Sequence, residues 1–216
     1  MTWRDVQHLI VHTSSKQNLG SNPGWFINDA GLSYNHRFGF GLLNAESLVE
    51  AAKLHKNVDK ANECKLPILR DLIDIKGGET ETISMKVECP KINYLEHSIL
   101  TLTLDAPKRG QLEIVLESAK NDFSQLLTKR EKDWSKDGFQ NWSFNTIHFW
   151  GTNPNGIFKL HIINHDDSSA KLRKLDLTLY GTEKEPQIME INPEINDIFP
   201  FKDAIKVSVF SVYHKD

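Results

Sequence analysis

The feature that most constrains the fold is a two-residue alternation of apolar and polar side chains that recurs from about residue 64 onward. In Thr82–Val87, Ile83, Met85 and Val87 fall on one face and Thr82, Ser84 and Lys86 on the other. Leu100, Leu102 and Leu104 alternate with Thr101 and Thr103, and Leu112, Ile114 and Leu116 with Glu113 and Glu117. Phe158, Leu160 and Ile162 alternate with Lys159 and His161, and Leu175, Leu177 and Leu179 with Lys174, Asp176 and Thr178. Successive strand residues point to opposite faces, so each run has one dry and one wet side, as in antiparallel sheets. Turn-forming clusters separate the runs: Pro107-Lys108-Arg109-Gly110, Lys136-Asp137-Gly138, Asn153-Pro154-Asn155-Gly156 and Asp166-Asp167-Ser168-Ser169. Many short strands with almost no helix predict a β-sandwich or barrel, and connections of unequal length favour a jelly-roll sandwich. Leu102, Leu112, Ile114, Leu116, Leu160, Ile162, Leu177 and Leu179 are then the inward-facing set.

The first third has a different character. Thr2 is placed to cap a helix whose third position is Asp5, a short form of the capping box. Trp3, Val6, Leu9, Ile10 and Thr13 follow at helical spacing. Lys16 to Asn35 reads as loop, with Pro23-Gly24 as a turn, and a second helix is expected from Asn44 to Leu54, with Leu48, Val49 and Ala52 as its apolar positions. Two short helices cannot bury Trp3, Trp25, Phe26, Phe38 and Phe40 among themselves, so this segment needs a partner. At the other end, Glu183–Lys202 is acidic and proline-bearing like a linker, and Ala204–Tyr213 alternates again.

With 26 basic against 29 acidic residues, the charge gives no case for binding nucleic acid or an anionic membrane. No apolar run approaches the roughly 20 residues of a membrane helix. The opening Met1-Thr2-Trp3-Arg4-Asp5 carries charge where a signal peptide has its apolar core, so no signal peptide is expected in this chain. Cys64 and Cys89 are the only cysteines; they form no Cys-x-x-Cys pair and read equally as buried free thiols or as a disulfide.

Neither a Gly-x-Ser-x-Gly elbow nor the Gly-Thr-Ser-x-Ala serine segment of subtilisins occurs. His8 and His12 stand four apart on the expected helix but lack the glutamate of a His-Glu-x-x-His site. His161 and His165 flank a strand end, where that spacing does not converge on one ion. His97 and His148 read as hydrogen-bonded structural histidines. Asp166-Asp167 is a turn pair that could contribute to calcium binding, but too few carboxylates cluster there to assign a site. No catalytic, cofactor or metal residue is therefore assigned. Asn141-Trp142-Ser143 is an N-glycosylation sequon, which makes Asn141 a candidate site, although Trp142 and Phe144 look packed. Lys108-Arg109-Gly110 reads as a solvated hairpin turn.

Longer strings are more specific. Thr2-Trp3-Arg4-Asp5-Val6-Gln7-His8-Leu9 resembles the helix that follows the active-site serine in kexin/furin-like proprotein convertases. Phe38-Gly39-Phe40-Gly41-Leu42-Leu43-Asn44-Ala45 is similar to the segment closing their subtilisin-like catalytic domain. Leu95-Glu96-His97, Lys108-Arg109-Gly110, Gly138-Phe139-Gln140-Asn141-Trp142-Ser143-Phe144, Thr146-Ile147-His148-Phe149-Trp150-Gly151 and Leu177-Thr178-Leu179-Tyr180-Gly181-Thr182 follow in family order. The resemblance covers residues 2 to about 182. It departs at Gln111, where many relatives carry Asp after Arg-Gly, and at Phe158, where they carry Trp.

The resemblance implies a mainly β chain: a jelly-roll P domain over 56–182, preceded by a helical remnant of a subtilisin-like α/β catalytic domain over 1–55 and followed by a tail over 183–216. It implies a disulfide between Cys64 and Cys89, worth about 3 kcal/mol through the unfolded state. The family's members are calcium-dependent serine endoproteases of the secretory pathway that cut after paired basic residues. Their triad lies upstream of everything present, so this chain is expected to lack it and to stabilise or regulate the protease domain, its partner in cis. Calcium is expected for the full-length family rather than for this chain. The rival is a free-standing jelly-roll module that binds a glycan or a protein. The N-terminal segment is expected to be the weak part, with a continuous apolar surface around Trp3, Trp25, Phe38 and Phe40.

Overall fold

The computed structural model describes residues 1–69 and 71–187. The strand expected over Ala204–Tyr213, and the part of the tail from residue 188, lie outside the described residues. Helix α1 spans Trp3–Thr13. Its capping box is complete: Thr2 Oγ1 accepts from the Asp5 N–H, and the Asp5 carboxylate accepts from the Thr2 N–H. The stretch expected as loop holds a small hairpin, β1 (Trp25–Ile27) and β2 (Ser33–Asn35). The sequence reading missed it because strands this short show no periodicity. Helix α2 spans Ala45–Leu54, and Asn44 Oδ1 accepts from the Ser47 N–H at 3.0 Å.

Nine strands follow: β3 (Asn62–Leu69), β4 (Ile73–Ile75), β5 (Thr80–Val87), β6 (Tyr94–Asp105), β7 (Leu112–Glu117), β8 (Phe123–Leu127), β9 (Phe139–Thr146), β10 (Gly156–Asn164) and β11 (Ala170–Thr182). They form two antiparallel sheets. One runs β5-β10-β7-β8; the other runs β3-β11-β6-β9, with β4 beside β11. The order is far from sequential, as in a jelly roll rather than a meander. All eight expected inward residues are fully buried, in one core with Leu100, Leu104, Phe158 and Leu175. At roughly 25 cal/mol per Å² of apolar surface, each contributes about 1.5–3 kcal/mol. Phe158 lies edge-on to Phe149 at 5.9 Å, so the Trp-to-Phe departure is absorbed inside the core.

Cys64 on β3 and Cys89 just after β5 are joined by a disulfide, with Cα atoms 6.0 Å apart. β3 and β5 lie in different sheets, so the bond staples the two sheets along one margin.

The basic turn is not a solvated hairpin. Arg109–Gln111 forms a 3-10 turn with Gly110 buried. The Arg109 guanidinium forks onto Asp133 at 3.0 and 3.2 Å and lies over the Phe139 ring. A Cβ on Gly110 would come within 2.2 Å of the Arg130 carbonyl, so only glycine fits there. The sequence reading went astray because the partner, Asp133, is over twenty residues away in the chain. Gly138 is fixed for a similar reason: its φ is +61°, and a Cβ would clash with the Leu104 carbonyl at 2.1 Å.

Candidate docking interface

The sequence assigns α1 an apolar stripe, and the fold splits it: Leu9 turns inward, while Trp3, Val6 and Ile10 turn outward. Trp3 is 68% exposed, Val6 39% and Ile10 38%, whereas the polar Asp5 and His8 are buried beside Leu9 and Val11. The buried side of α1 thus mixes two polar with two apolar side chains, and it faces the sandwich at the start of β6.

Glu96 is the centre of that contact. Arg4 grips its carboxylate with two guanidinium nitrogens, Nε at 2.9 Å from Oε2, and His8 Nε2 lies 3.0 Å from Oε1. Desolvation pulls the Glu96 carboxyl up, but the hydrogen bonds and charges of His8 and Arg4 outweigh it and hold it down at about 2. Asp5 makes a second knot. His55 Nε2 lies 3.0 Å from its Oδ1, and the Val58 N–H donates to the same oxygen at 2.8 Å. Burial again opposes ionisation, yet the bonds from His55, Thr2 and Val58 keep the Asp5 carboxyl far below the usual carboxylate range. Gln7 meets His97 Nε2 at 3.2 Å. The Trp150 ring closes the seam edge-on to His8 at 4.8 Å and to His97 at 5.8 Å. The Nδ1 atoms of His8 and His55 are buried without a hydrogen bond to the described residues.

The loop between the helices makes the second half of the interface. Asn28 Nδ2 donates to the carbonyls of His148 and Trp150 at 3.0 and 2.9 Å, while its Oδ1 accepts from the Ala30 and Leu32 N–H groups. The Tyr34 hydroxyl donates to the Phe123 carbonyl at 3.0 Å. Val11, Tyr34, Phe40 and Trp150 form a small buried cluster between the two regions. Phe40, expected on an open surface, is therefore inside, because the sandwich supplies Trp150 as its partner. Trp25 and Phe38 are half-buried and stacked on each other at 6.1 Å. Trp3 does stay open, together with Leu42, Leu43, Val49 and Leu54, and it is joined by Val6 and Ile10.

His97, His161 and His165 make hydrogen bonds within and beside the sheets. His97 meets Asn145, His161 bridges Thr82 and Glu117, and His165 meets Glu113 at 3.2 Å. Ser124 Oγ lies 3.0 Å from His148 Nδ1, but it is no nucleophile: it is buried, shares its proton with Thr146 Oγ1 at 2.7 Å, and faces a histidine whose proton affinity desolvation and the His36 charge lower to about 4. Asp166 pairs with Lys108 Nζ at 3.0 Å and accepts from the Ser168 N–H. No three His, Cys, Asp or Glu side chains converge on a metal site among the described residues. None of their helices is long and apolar enough to cross a membrane. A shallow depression of about 630 Å³, lined by Asp29, Asn93, Tyr94, Thr152, Glu183 and Glu185 among others, contains no nucleophile paired with a base.

Fold and sequence together define the class: residues 95–179 match the family model of the proprotein convertase P-domain. This stretch is a P domain of that family. Among curated relatives, the chain is 34% identical over 202 residues to furin-like protease 1, isoform 1-CRR, of Drosophila melanogaster. That alignment covers 92% of this chain and 18% of the relative. It is 36% identical to human proprotein convertase subtilisin/kexin types 5 and 6, over 86% of this chain and 11% and 20% of those proteins. The chain thus spans a fifth or less of the length of these relatives. Among solved structures, the serine protease of Aeromonas sobria, in complex with its chaperone, superposes with a TM-score of 0.72 over 85% of this chain and 40% of that one. The identity is 16%, so this likeness concerns the fold.

Proposed function

We propose that this chain is the structural and regulatory end of a calcium-dependent serine endoprotease that cleaves precursors after paired basic residues in the secretory pathway. In this reading residues 1–55 close a subtilisin-like catalytic domain, residues 56–182 are the P domain, and residues 183–216 are a tail. The triad and the calcium sites belong to the rest of that protease. The observation that carries the reading is the orientation of helix α1: Arg4 and His8 are bonded to Glu96 of the sandwich while Trp3, Val6 and Ile10 face outward. An apolar helical stripe turned to water is unfavourable unless another surface covers it. The missing body of a subtilisin-like domain is the surface that the resemblance supplies. A free-standing glycan-binding module is less well supported. Trp150 is consumed by the α1 seam, and Trp134 and Trp142 stand in a loop and on an edge strand without making a shared platform.

The test is a chimera. The upstream part of Drosophila furin-like protease 1, through its catalytic serine, would be fused to this chain and secreted from insect cells. Cleavage of a fluorogenic peptide ending in Lys-Arg would then be measured. Activity that depends on residues 1–182 and falls at least tenfold with Trp3→Asp or Ile10→Asp is expected. A chimera that is secreted and active with these substitutions, or equally active after deletion of residues 62–182, would refute the reading.

A further inference from the structure

Asn141-Trp142-Ser143 is the only Asn-x-Ser/Thr sequence in the chain. The objection that its neighbours look packed does not hold in the fold. Phe144 is buried, but Asn141 and Ser143 are exposed and Trp142 is 52% exposed. β9 pairs only with β6 and ends its sheet. The register slips between Leu102 and Leu104, which face Trp142 and Phe139, so β9 carries one extra residue there. Asn141 occupies this bulge with φ at +47°, a left-handed conformation that Asn tolerates better than most residues. Its N–H is taken by Thr103 Oγ1 at 3.1 Å and its Oδ1 accepts from Lys174 Nζ at 3.1 Å. The remaining atom, Nδ2, has no hydrogen bond to the described residues, and it is the atom that N-glycosylation uses.

We propose that Asn141 is an N-glycosylation site and that its glycan covers the open edge of the larger sheet. The co-substrate is an oligosaccharide carried on a polyprenyl diphosphate. Asn141 Nδ2 forms a bond to the anomeric carbon of the first sugar, the bond from that carbon to the diphosphate oxygen breaks, the polyprenyl diphosphate leaves, and the amide proton passes to a base of the transferase. A bulky polar group at the bulge stands beside the unpaired strand edge and the half-exposed Trp142. Natural sheets blunt such edges against pairing with another chain, and a glycan does so sterically. The inference rests on the secretory reading only in that the chain must meet the transferase.

The full chain would be secreted from insect or mammalian cells behind a heterologous leader and treated with an amidase that removes N-glycans. Wild type is expected to drop in mass by one glycan and to show Asp at position 141 afterwards. Ser143→Ala and Asn141→Gly, the latter suited to the left-handed backbone, should each abolish the shift, and Ser143→Thr should keep it. A secreted Gly78→Asn variant, which makes a second sequon with Glu79 and Thr80 at a position with open space and positive φ, serves as control. Glycan at position 78 with none at Asn141 would overturn the proposal. Because a foreign leader supplies the route, a glycosylated chain that fails in the protease chimera would refute the protease reading while leaving this one intact.

Discussion

The two regions of this molecule solve the burial problem in opposite ways. The sandwich closes on itself: both sheets turn their leucines and isoleucines inward, and a disulfide ties the margins. The helical segment is attached through charge, hydrogen bonds and a small apolar cluster, and it leaves Trp3, Val6 and Ile10 outside. A region that is bonded to one neighbour and still leaves part of its apolar surface outside has room for a second. The difference also separates the energetics. A large dry core sets the global stability, whereas the seam around Glu96 sets how long α1 stays docked.

The largest expected effect breaks the sandwich side. Phe158→Ala removes a fully buried ring at the centre of the core and should cost about 4 kcal/mol, seen as a drop in the urea midpoint of the whole chain. A midpoint near that of wild type would mean that the sandwich is not the global unit. Cys64→Ser with Cys89→Ser should cost about 3 kcal/mol, since the bond closes a loop with 25 residues of separation. If the sheets hold each other unaided, reduction alone would leave the midpoint unmoved.

Substitution at the seam should act locally. Arg4→Met leaves the buried Glu96 with His8 alone and should cost about 3 kcal/mol of docking, because an under-compensated charge remains inside. Hydrogen exchange should then speed up in Val6–Thr13 and hardly change in Leu112–Leu116. In wild type, α2 should exchange faster still over Leu48–Leu54, since Ala51 is its sole buried residue. Equal protection in all three segments would erase the contrast between the regions.

Acid should separate them as well. Glu96 is held near 2, so the stability it gives is complete above the ordinary glutamate range near 4.5 and is lost as pH falls from there toward 2. His148 is held neutral down to about 4, so the unfolded chain gains its proton first, and this contribution fades as pH falls from 6.5 to 4. Both groups line the junction between the regions. Exchange rates, corrected for their intrinsic pH dependence, should therefore show α1 loosening between pH 6.5 and 4 while β7 and β10 stay protected. Loss of both at the same pH would place the acid sensitivity in the sandwich instead.

How much of this was legible depends on whether the information was local. The inward leucines of β6, β7, β10 and β11 could be read directly because a strand repeats every two residues and the core fills one whole side. The capping box of α1 was legible for the same reason, all its atoms lying within four residues. The orientation of α1 was not. Helical periodicity identifies an apolar stripe but cannot reveal that Glu96, more than eighty residues on, will bury the opposite side. Glu113 and Glu117 show the same limit: the alternation marks them as wet, yet His165, His161 and Lys159 cover them on the outer side of β7. Buried ion pairs between distant residues leave no period in the sequence. The string Leu95-Glu96-His97 pointed to the right place through family likeness without revealing what Glu96 binds.

The smallest expected effect is the sharpest test of the comparison. Trp3→Ser and Ile10→Ser remove large apolar groups, and in a closed domain such losses would each cost several kcal/mol. Here Trp3 is 68% and Ile10 38% exposed, so removing them gives up far less burial than at a core position. Changes at such positions usually stay within about 0.5 kcal/mol. The double variant should unfold at the wild-type urea midpoint, keep the wild-type exchange of Val6–Thr13, and be at least as soluble as wild type. Joined to a subtilisin-like domain, the same two changes should cost most of the secreted protease activity. A substantial loss of stability in the isolated chain would mean that the stripe is already covered, and the case for a second neighbour would fail on this region's own energetics.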